Sequence, residues 1–492
     1  MTRDVRISDS LDQLPIGFGD GAELDAFQRL RVGNPAAVFE NKNIHDRSES
    51  QWEEPITGAI IEHGAVTGGP FQVGETITGG TSGIEGTVTV VGAGSLTYDV
   101  NHNDFEDGET ITGGTSGATA TITTHNTGSD AYHTRDTASV TLVAGDSAGD
   151  SASRQTHRYF SYVPGKSHEI WMTFNFTASG NVSFVRRTKT SGSAVDADDI
   201  PQSQWNIDPM DGTGPSQIDL DFTKETFLVI DMQWQGTGRV RLGFFHNGRI
   251  IYAHAFNFSN SLEDVYMSTP SLPVKHEIEN IDGTTIERRS GYFNGDNGLF
   301  IKQSSTESSR IMKEICTAIV SIGGQNPVGL GFSVSNEITP RTLNAVTEVP
   351  MLAVRLKNTH PKGGKNRVVC QLTSVSFFPV GNSSHFHLEH MHNPTGITAS
   401  WAPVGEGSAC EYSTDITAIT GRPSHKVVEG YIGTGQAGKG ADENIQSADK
   451  LDQHRFLSQN FDSTNSEIFV VWGITLTGAS DGYAHVSWVE FD

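Results

Sequence analysis

The sequence predicts an all-β protein: jelly-roll or β-sandwich domains, a small inserted tandem β-repeat module and an extended N-terminal arm. Three observations carry this. The ten residues GETITGGTSG from Gly74 return letter for letter from Gly108, a period of 34 (108 − 74), and a fixed period in that range marks a copied supersecondary unit. Short alternating or β-branched runs recur along the chain with Gly, Pro and Asn between them, the pattern of sandwiches and barrels. Helical periodicity is nowhere sustained beyond about ten residues.

Taken in order, residues 1–50 mix turn formers with short apolar patches and read as an extended docking arm. Within it AELDAFQRLRV (22–32) is compatible with two helical turns, with Leu24, Phe27 and Leu30 on one side. Phe27, Leu30 and Val32 are the candidate docking residues of the arm. A strand is expected from Ile56, and residues 51–66 with 128–378 are assigned to a central β-sandwich. Residues 67–127 hold the repeat module, where each copy follows a Phe (Phe71, Phe105) and leads into IEGTVTV or ATATITT. Beyond it, TASVTLVA, RQTHRYFSYV, HEIWMTFNF and TFLVIDMQW read as strands. Asn247-Gly248, between LGFFH and RIIYAHAF, predicts a type I′ hairpin, because both residues tolerate positive φ. SSRIMKEICTAIVSI (308–322) is ambiguous: its first half is compatible with a helix, whereas Cys316 to Ile322 is β-branched enough for a strand. A second boundary is expected at 379–383, where FFPV gives way to GNSS, so that 379–492 forms a C-terminal sandwich.

Lys and Arg number 34 against 58 Asp and Glu, a formal net charge of −24. Such a surface repels phosphate backbones, so nucleic acid is not an expected partner. Three cysteines, Cys316, Cys370 and Cys410, are far apart in sequence and form no CxxC pair. This argues against a disulfide framework and for folding in a reducing cytosol. Residues 1–30 carry no basic-then-apolar export pattern, and no apolar run is long enough to span a bilayer, so membrane insertion is not expected.

Few motifs carry chemistry. Gly145-Asp-Ser147-Ala-Gly149 matches the nucleophile elbow, but the residues after it lead into a strand rather than the helix that motif needs, and a polar hairpin loop is the better reading. His385-Phe-His387-Leu-Glu389 places two imidazoles and a carboxylate on one face of a strand, and His390-Met-His392 continues the run. His385 and His387 are therefore candidate ligands for a divalent transition metal, within one chain or shared around a three-fold axis; the plainer reading is a solvent-facing strand that tolerates histidine. Asp99-Val-Asn101-His-Asn103 begins like a calcium loop, but Asp104 stands where Gly belongs and Thr110 where a bidentate Glu belongs, which makes a turn between strands the stronger reading. Trp234, ahead of the alternating Arg239-Val-Arg241-Leu run, is expected in the core rather than on a sugar site. No phosphate-binding glycine loop, catalytic set or cofactor motif is present, so no cofactor and no catalytic residues are expected.

DAFQRLRVGNP (25–35), RQTHRYFSYVPGKS (154–167), the long stretch from Gly214 to Phe256 and STPSLPVKHEIEN (268–280) resemble a family of virion structural proteins of tailed bacteriophages of the marine and cyanobacterial type. VRLKN and CEYSTDITAITG continue the resemblance more weakly, and the GETITGGTSG units are similar to repeats of phage tail and fibre proteins. The resemblance implies a β-rich, non-enzymatic subunit on the particle exterior (tail, baseplate, fibre or capsid decoration), made in the host cytoplasm. It implies partners among other virion proteins and in copies of itself, a trimer by analogy with fibres and spikes. Recognition of host-surface glycan by the repeats or the C-terminal sandwich is the alternative.

Overall fold

Alternation of buried and exposed side chains turns most of the chain into antiparallel strands, which stack as two sandwiches beside a closed barrel. The structure, a computed structural model, describes residues 22–24, 30–32, 36–44, 51–100, 105–126, 128–322, 329–336, 339–392, 394–419, 424–432, 441–444, 456–459 and 466–491. The all-β class is as expected, with short 3-10 turns at Arg135–Thr137 and Gln202–Gln204. Among the described residues no helix is long and apolar enough to cross a membrane.

In the first sandwich an eight-stranded sheet faces a seven-stranded one. Met172, Ile230 and Leu242 from one sheet meet Phe184, Ile278 and Leu299 from the other in a core that excludes water. The ambiguous segment at 308–322 resolves as one long strand, Ile311–Ile322, paired along its length with Ser167–Asn175. Burial alternates along it (Met312, Glu314, Thr317, Ile319), and a helix would have scattered those side chains around its axis. Asn247 and Gly248 take φ of 50° and 83° and join Arg239–His246 to Arg249–Asn257, the geometry of a type I′ turn.

The N-terminal arm differs from expectation. Ala22–Leu24 pairs with Leu30–Val32 as a short hairpin instead of two helical turns. Three-residue strands satisfy each other's backbone groups, which an isolated two-turn helix does poorly. Ala36–Lys42 then pairs with the Cys316–Ser321 half of Ile311–Ile322, beside the half taken by Ser139–Val143, driven by burial of Val38 and Phe39, so this part of residues 1–50 belongs to the sandwich. Phe27 lies outside the described residues; Leu30 and Val32 lie in the hairpin.

The boundary expected at 379–383 is a turn inside the second sandwich. Leu330–Ser335, Ser480–Phe491 and Val369–Pro379 form one sheet, and Val349–Leu356, Ile468–Thr475, Ser384–Met391 and Ser424–Ile432 form the other. Residues 380–383 carry the chain from one sheet to the facing one, so the second sandwich begins at Leu330, about fifty residues earlier than the turn chemistry indicates (380 − 330). Its core packs Phe377, Val486 and Trp488 against Leu352, Phe386 and Val471.

The duplicated module closes into a six-stranded barrel that also recruits Ala59–His63. The two repeats lie against each other through Ile77↔Gly113, Thr78↔Thr112 and Gly79↔Ile111, a local two-fold centred on the Thr78–Thr112 pair. Phe71 and Phe105, then Ile77 and Ile111, occupy equivalent buried places. The identical GETITGGTSG letters have a cause in this symmetry. Glu75 of the first copy accepts hydrogen bonds from the Thr115 and Ser116 amides and the Ser116 hydroxyl of the second, at 3.2, 2.9 and 2.9 Å. Glu109 of the second copy does the same for Thr81 and Ser82 of the first, at 3.0, 3.0 and 2.9 Å. A Cβ on Gly79 would come within 2.5 Å of the Glu109 carboxylate, and one on Gly113 within 2.6 Å of that of Glu75, so a side chain at either place would displace the capping carboxylate.

The first sandwich buries charge as well as hydrocarbon. Arg154 and Glu314 are both inaccessible, joined by Nε–Oε2 at 3.4 Å, with Glu54 and Asn43 completing the group. Arg289 collects Glu277, Glu279 and Glu287. Buried histidines, His168 and His276 among them, make this body acid-sensitive. Burial, then Arg158, lowers His168 to about 4; burial, then Arg154, lowers His276 to about 3. Between pH 6.5 and these values the unfolded chain binds protons that the folded one refuses, so stability falls as pH falls. By pH 5 the loss is on the order of 2 kcal/mol for each histidine. Urea unfolding at pH 7 and pH 5 will show it, and H168Q and H276Q variants will show a smaller difference.

Candidate metal-binding histidine clusters

The strand Ser384–Met391 runs between Ile468–Thr475 and Ser424–Ile432. Its two-residue period sends Phe386 and Leu388 into the core and puts His385, His387 and Glu389 on the opposite face. His387 Nε2 lies 3.4 Å from Glu389 Oε1, and its Nδ1 lies 3.6 Å from Glu348 Oε1, a residue just ahead of Val349–Leu356, two strands away in the sheet. The His385 and His387 rings are 5.7 Å apart, and His385 also approaches Glu429 at 3.6 Å. Ligand atoms of Glu348, His385 and His387 fall within 4.8 Å of one another. Burial, then His387 and Lys426, lowers the His385 pKa.

The plainer reading, a solvent-facing strand, does not hold, because His387 is buried under Trp472. An ion shared around a three-fold axis is also excluded for this pair. Such an ion needs both imidazoles at the surface, and the His387 side chain is only 1% exposed within its own chain.

A second cluster forms where the side of the strand bearing Phe386 and Leu388 runs past the core. His390, His392 and Glu467 are buried with ligand atoms within 4.8 Å of one another. His392 Nδ1 is 2.5 Å from Glu467 Oε1, and His390 Nε2 is 3.4 Å from Oε2. The Ser458 amide and hydroxyl donate to Oε2 at 2.7 and 2.8 Å, which fixes the carboxylate. His157, from the first sandwich, stacks on His392 with ring centroids 5.3 Å apart, and the exposed His425 meets its edge at 5.7 Å. Glu467 keeps its charge: burial pushes its pKa up, but the two imidazoles outweigh burial and hold it well below the usual value.

The cluster sits at the junction of the sandwiches, where Arg158 lies 3.8 Å over the Phe456 ring and Arg367 lies 4.6 Å over that of Tyr159. The cavity at this junction, about 40 Å³ between Val38, His168, Val369 and Phe491, is far smaller than a ligand pocket.

The remaining sequence candidates resolve individually. Gly145–Gly149 is a crossover rather than a hairpin loop: the strand before it is in one sheet and Ser151–Thr156 in the other, with Asp146 paired to Arg310. Of the calcium-like segment, residues 101–104 lie outside the described residues, while Asp107 binds His125 at 2.9 Å. Trp234 packs against the first core and donates to the Met267 carbonyl at 3.0 Å. Cys370 and Cys410, far apart in sequence, meet in the second core with sulfurs 2.9 Å apart. Glu467, Glu348 and His157 were missed because each comes from a distant segment. The one local hint is Glu467 standing immediately before the apolar run IFVVW.

Fold and site define an all-β protein of two sandwiches and a self-paired barrel, with histidine–carboxylate clusters on one strand. No family model and no curated protein sequence matches the chain. Solved structures resemble it at a low level. The carbohydrate recognition domain of Emp46p in its potassium-bound form is 12% identical with a TM-score of 0.14, covering 40% of this chain and 88% of that one. A lectin from Bauhinia forficata in complex with GalNAc is 11% identical with a TM-score of 0.14, over 40% and 92%. The VP2 subviral particle of infectious bursal disease virus is 9% identical with a TM-score of 0.09, over 91% and 82%. Similarity at this level carries no functional argument.

Proposed function

We propose that this chain is a non-enzymatic structural subunit of a tailed-phage particle, displayed on its exterior and assembling through its N-terminal segment and sandwich faces, as a trimer. One observation supports this most. The stretches that resemble the virion family, 154–167, 214–256 and 268–280, supply much of the interior of the first sandwich, where their charged groups are spent on one another. Arg241 with Asp231 and Lys275 with Glu277 are pairs of this kind, and Arg154 is likewise paired, with Glu314 outside these stretches. Groups tied up in this way hold a body in shape and are poorly placed to act on a substrate. The carboxylates of the histidine clusters are likewise engaged within the chain.

The test is a cryo-EM map of phage particles that carry the gene, together with a variant lacking residues 1–35. The full chain is expected as an ordered exterior density in copies divisible by three, and the truncated chain is expected to fold but stay off the particle. Absence of the chain from purified particles overturns the proposal. Glycan-array binding by the purified chain that disappears on deleting 67–127 moves the assignment to receptor recognition.

A further inference from the structure

We infer that His390, His392 and Glu467 form a binding site for a divalent transition metal of the zinc type, on the side of the second sandwich that meets the first. Two imidazoles and one carboxylate are a complete protein donor set for a tetrahedral ion that leaves one position open. Donor atoms around such an ion, at about 2.0–2.1 Å from it, are separated by roughly 3.3 Å. His390 Nε2 and Glu467 Oε2 already stand 3.4 Å apart. One ligand atom from each of the three residues lies within 4.8 Å of the other two, so the set closes on one ion by small side-chain rotations. The fourth position falls to water or to the exposed His425 at the mouth, which also marks the entry path.

The surroundings hold the donors in place. All three ligands are buried, and the Ser458 amide and hydroxyl aim the carboxylate, the outer-shell support that ligating carboxylates usually have. His157, stacked on His392 from the first sandwich, couples occupancy of the site to the seating of the two bodies. The outer triad of Glu348, His385 and His387 is the weaker site. Glu348 is at the surface, and His385 is divided between it and Glu429.

The inference stands apart from the role in a particle and is tested on the free, untagged chain. After chelation and dialysis, Zn²⁺ or Co²⁺ is added back and the bound metal measured by plasma mass spectrometry. About one ion per chain is expected, with the intense visible ligand-field bands of tetrahedral Co²⁺. H390A/H392A is expected to lose the ion, H385A/H387A to keep it, and E467Q to bind at least about tenfold more weakly. Added Zn²⁺ is expected to raise the melting temperature of the wild type and of H385A/H387A but not of H390A/H392A. Wild-type protein that takes up no stoichiometric metal and shows no Co²⁺ bands overturns the inference, whatever the variants do. So does an ion that leaves with His385 and His387.

Discussion

Replacing Arg154 with alanine is expected to cost about 3–5 kcal/mol of stability, lowering the melting temperature of the first sandwich by roughly 10 °C. Arg154 and Glu314 are both withdrawn from water, and each makes the other tolerable. The Glu314 pKa is raised by its burial, with Arg154 and the hydrogen bonds from Asn43 and Thr317 pulling the other way. Removing the guanidinium leaves a buried carboxylate without its counter-charge and empties the space under it. Trp52 also loses the cation 4.7 Å from its ring. The check is denaturant unfolding of R154A, E314Q and the double variant. The double variant should recover a substantial part of the loss, because it no longer strands a charge. If R154A melts with the wild type, or if the double variant shows simple additivity, the pair is not coupled as described.

Replacing both Glu75 and Glu109 by alanine is expected to open the barrel while the sandwiches stay folded. Each carboxylate accepts from two amides and a hydroxyl across the repeat boundary and from one amide of its own turn, Gln72 for Glu75 at 2.6 Å and Glu106 for Glu109 at 2.7 Å. Loss of hydrogen bonds to a charged acceptor costs about 1.5–3 kcal/mol for each site, a large share of what so small a core supplies. Proteolytic cleavage confined to 59–126 in the double variant, with the sandwich melt unchanged, is the expected readout. Acid should mimic the mutations. Burial raises both carboxyl pKa values, but the hydrogen bonds prevail and leave them below the ordinary 4.5. Their contribution is therefore present above pH 4.5 and is lost as pH falls through the lower folded value. Protease resistance of the barrel in the double variant counts against reciprocal capping.

The class of the fold was legible because period-two burial and turn chemistry are local properties. The Asn247-Gly248 turn follows from a dozen residues or fewer, whereas Ile311–Ile322, whose first half is compatible with a helix, is decided by its pairing with Ser167–Asn175. The boundary at 379–383 was misplaced because a Gly-Asn-Ser turn that crosses between facing sheets has the same composition as a linker. Only the pairing of Val369–Pro379 with Ser480–Phe491, over a hundred residues away (480 − 379), separates the two cases. The hairpin at Ala22–Leu24 was hidden for a related reason: Leu24, Phe27 and Leu30 fit a helical face, and the cross-strand partners that decide the matter are not encoded in that spacing. The site divides in the same way. His385 and His387 share a face by parity alone, whereas Glu348, Glu467 and His157 arrive from other strands, and Cys370 reaches Cys410 across the two sheets.

The mutual arrangement of Glu75 and Glu109 limits how this module can evolve. Neither copy is self-sufficient, since each borrows its acceptor from its twin, so a third copy added alone would have an uncapped loop and arrays of this unit grow by twos. A substitution in one decapeptide must also be answered in the other, which keeps the duplicates alike long after the event that made them. The same reciprocity means that two neighbouring chains can trade halves and close two barrels without forming any contact that a single chain lacks.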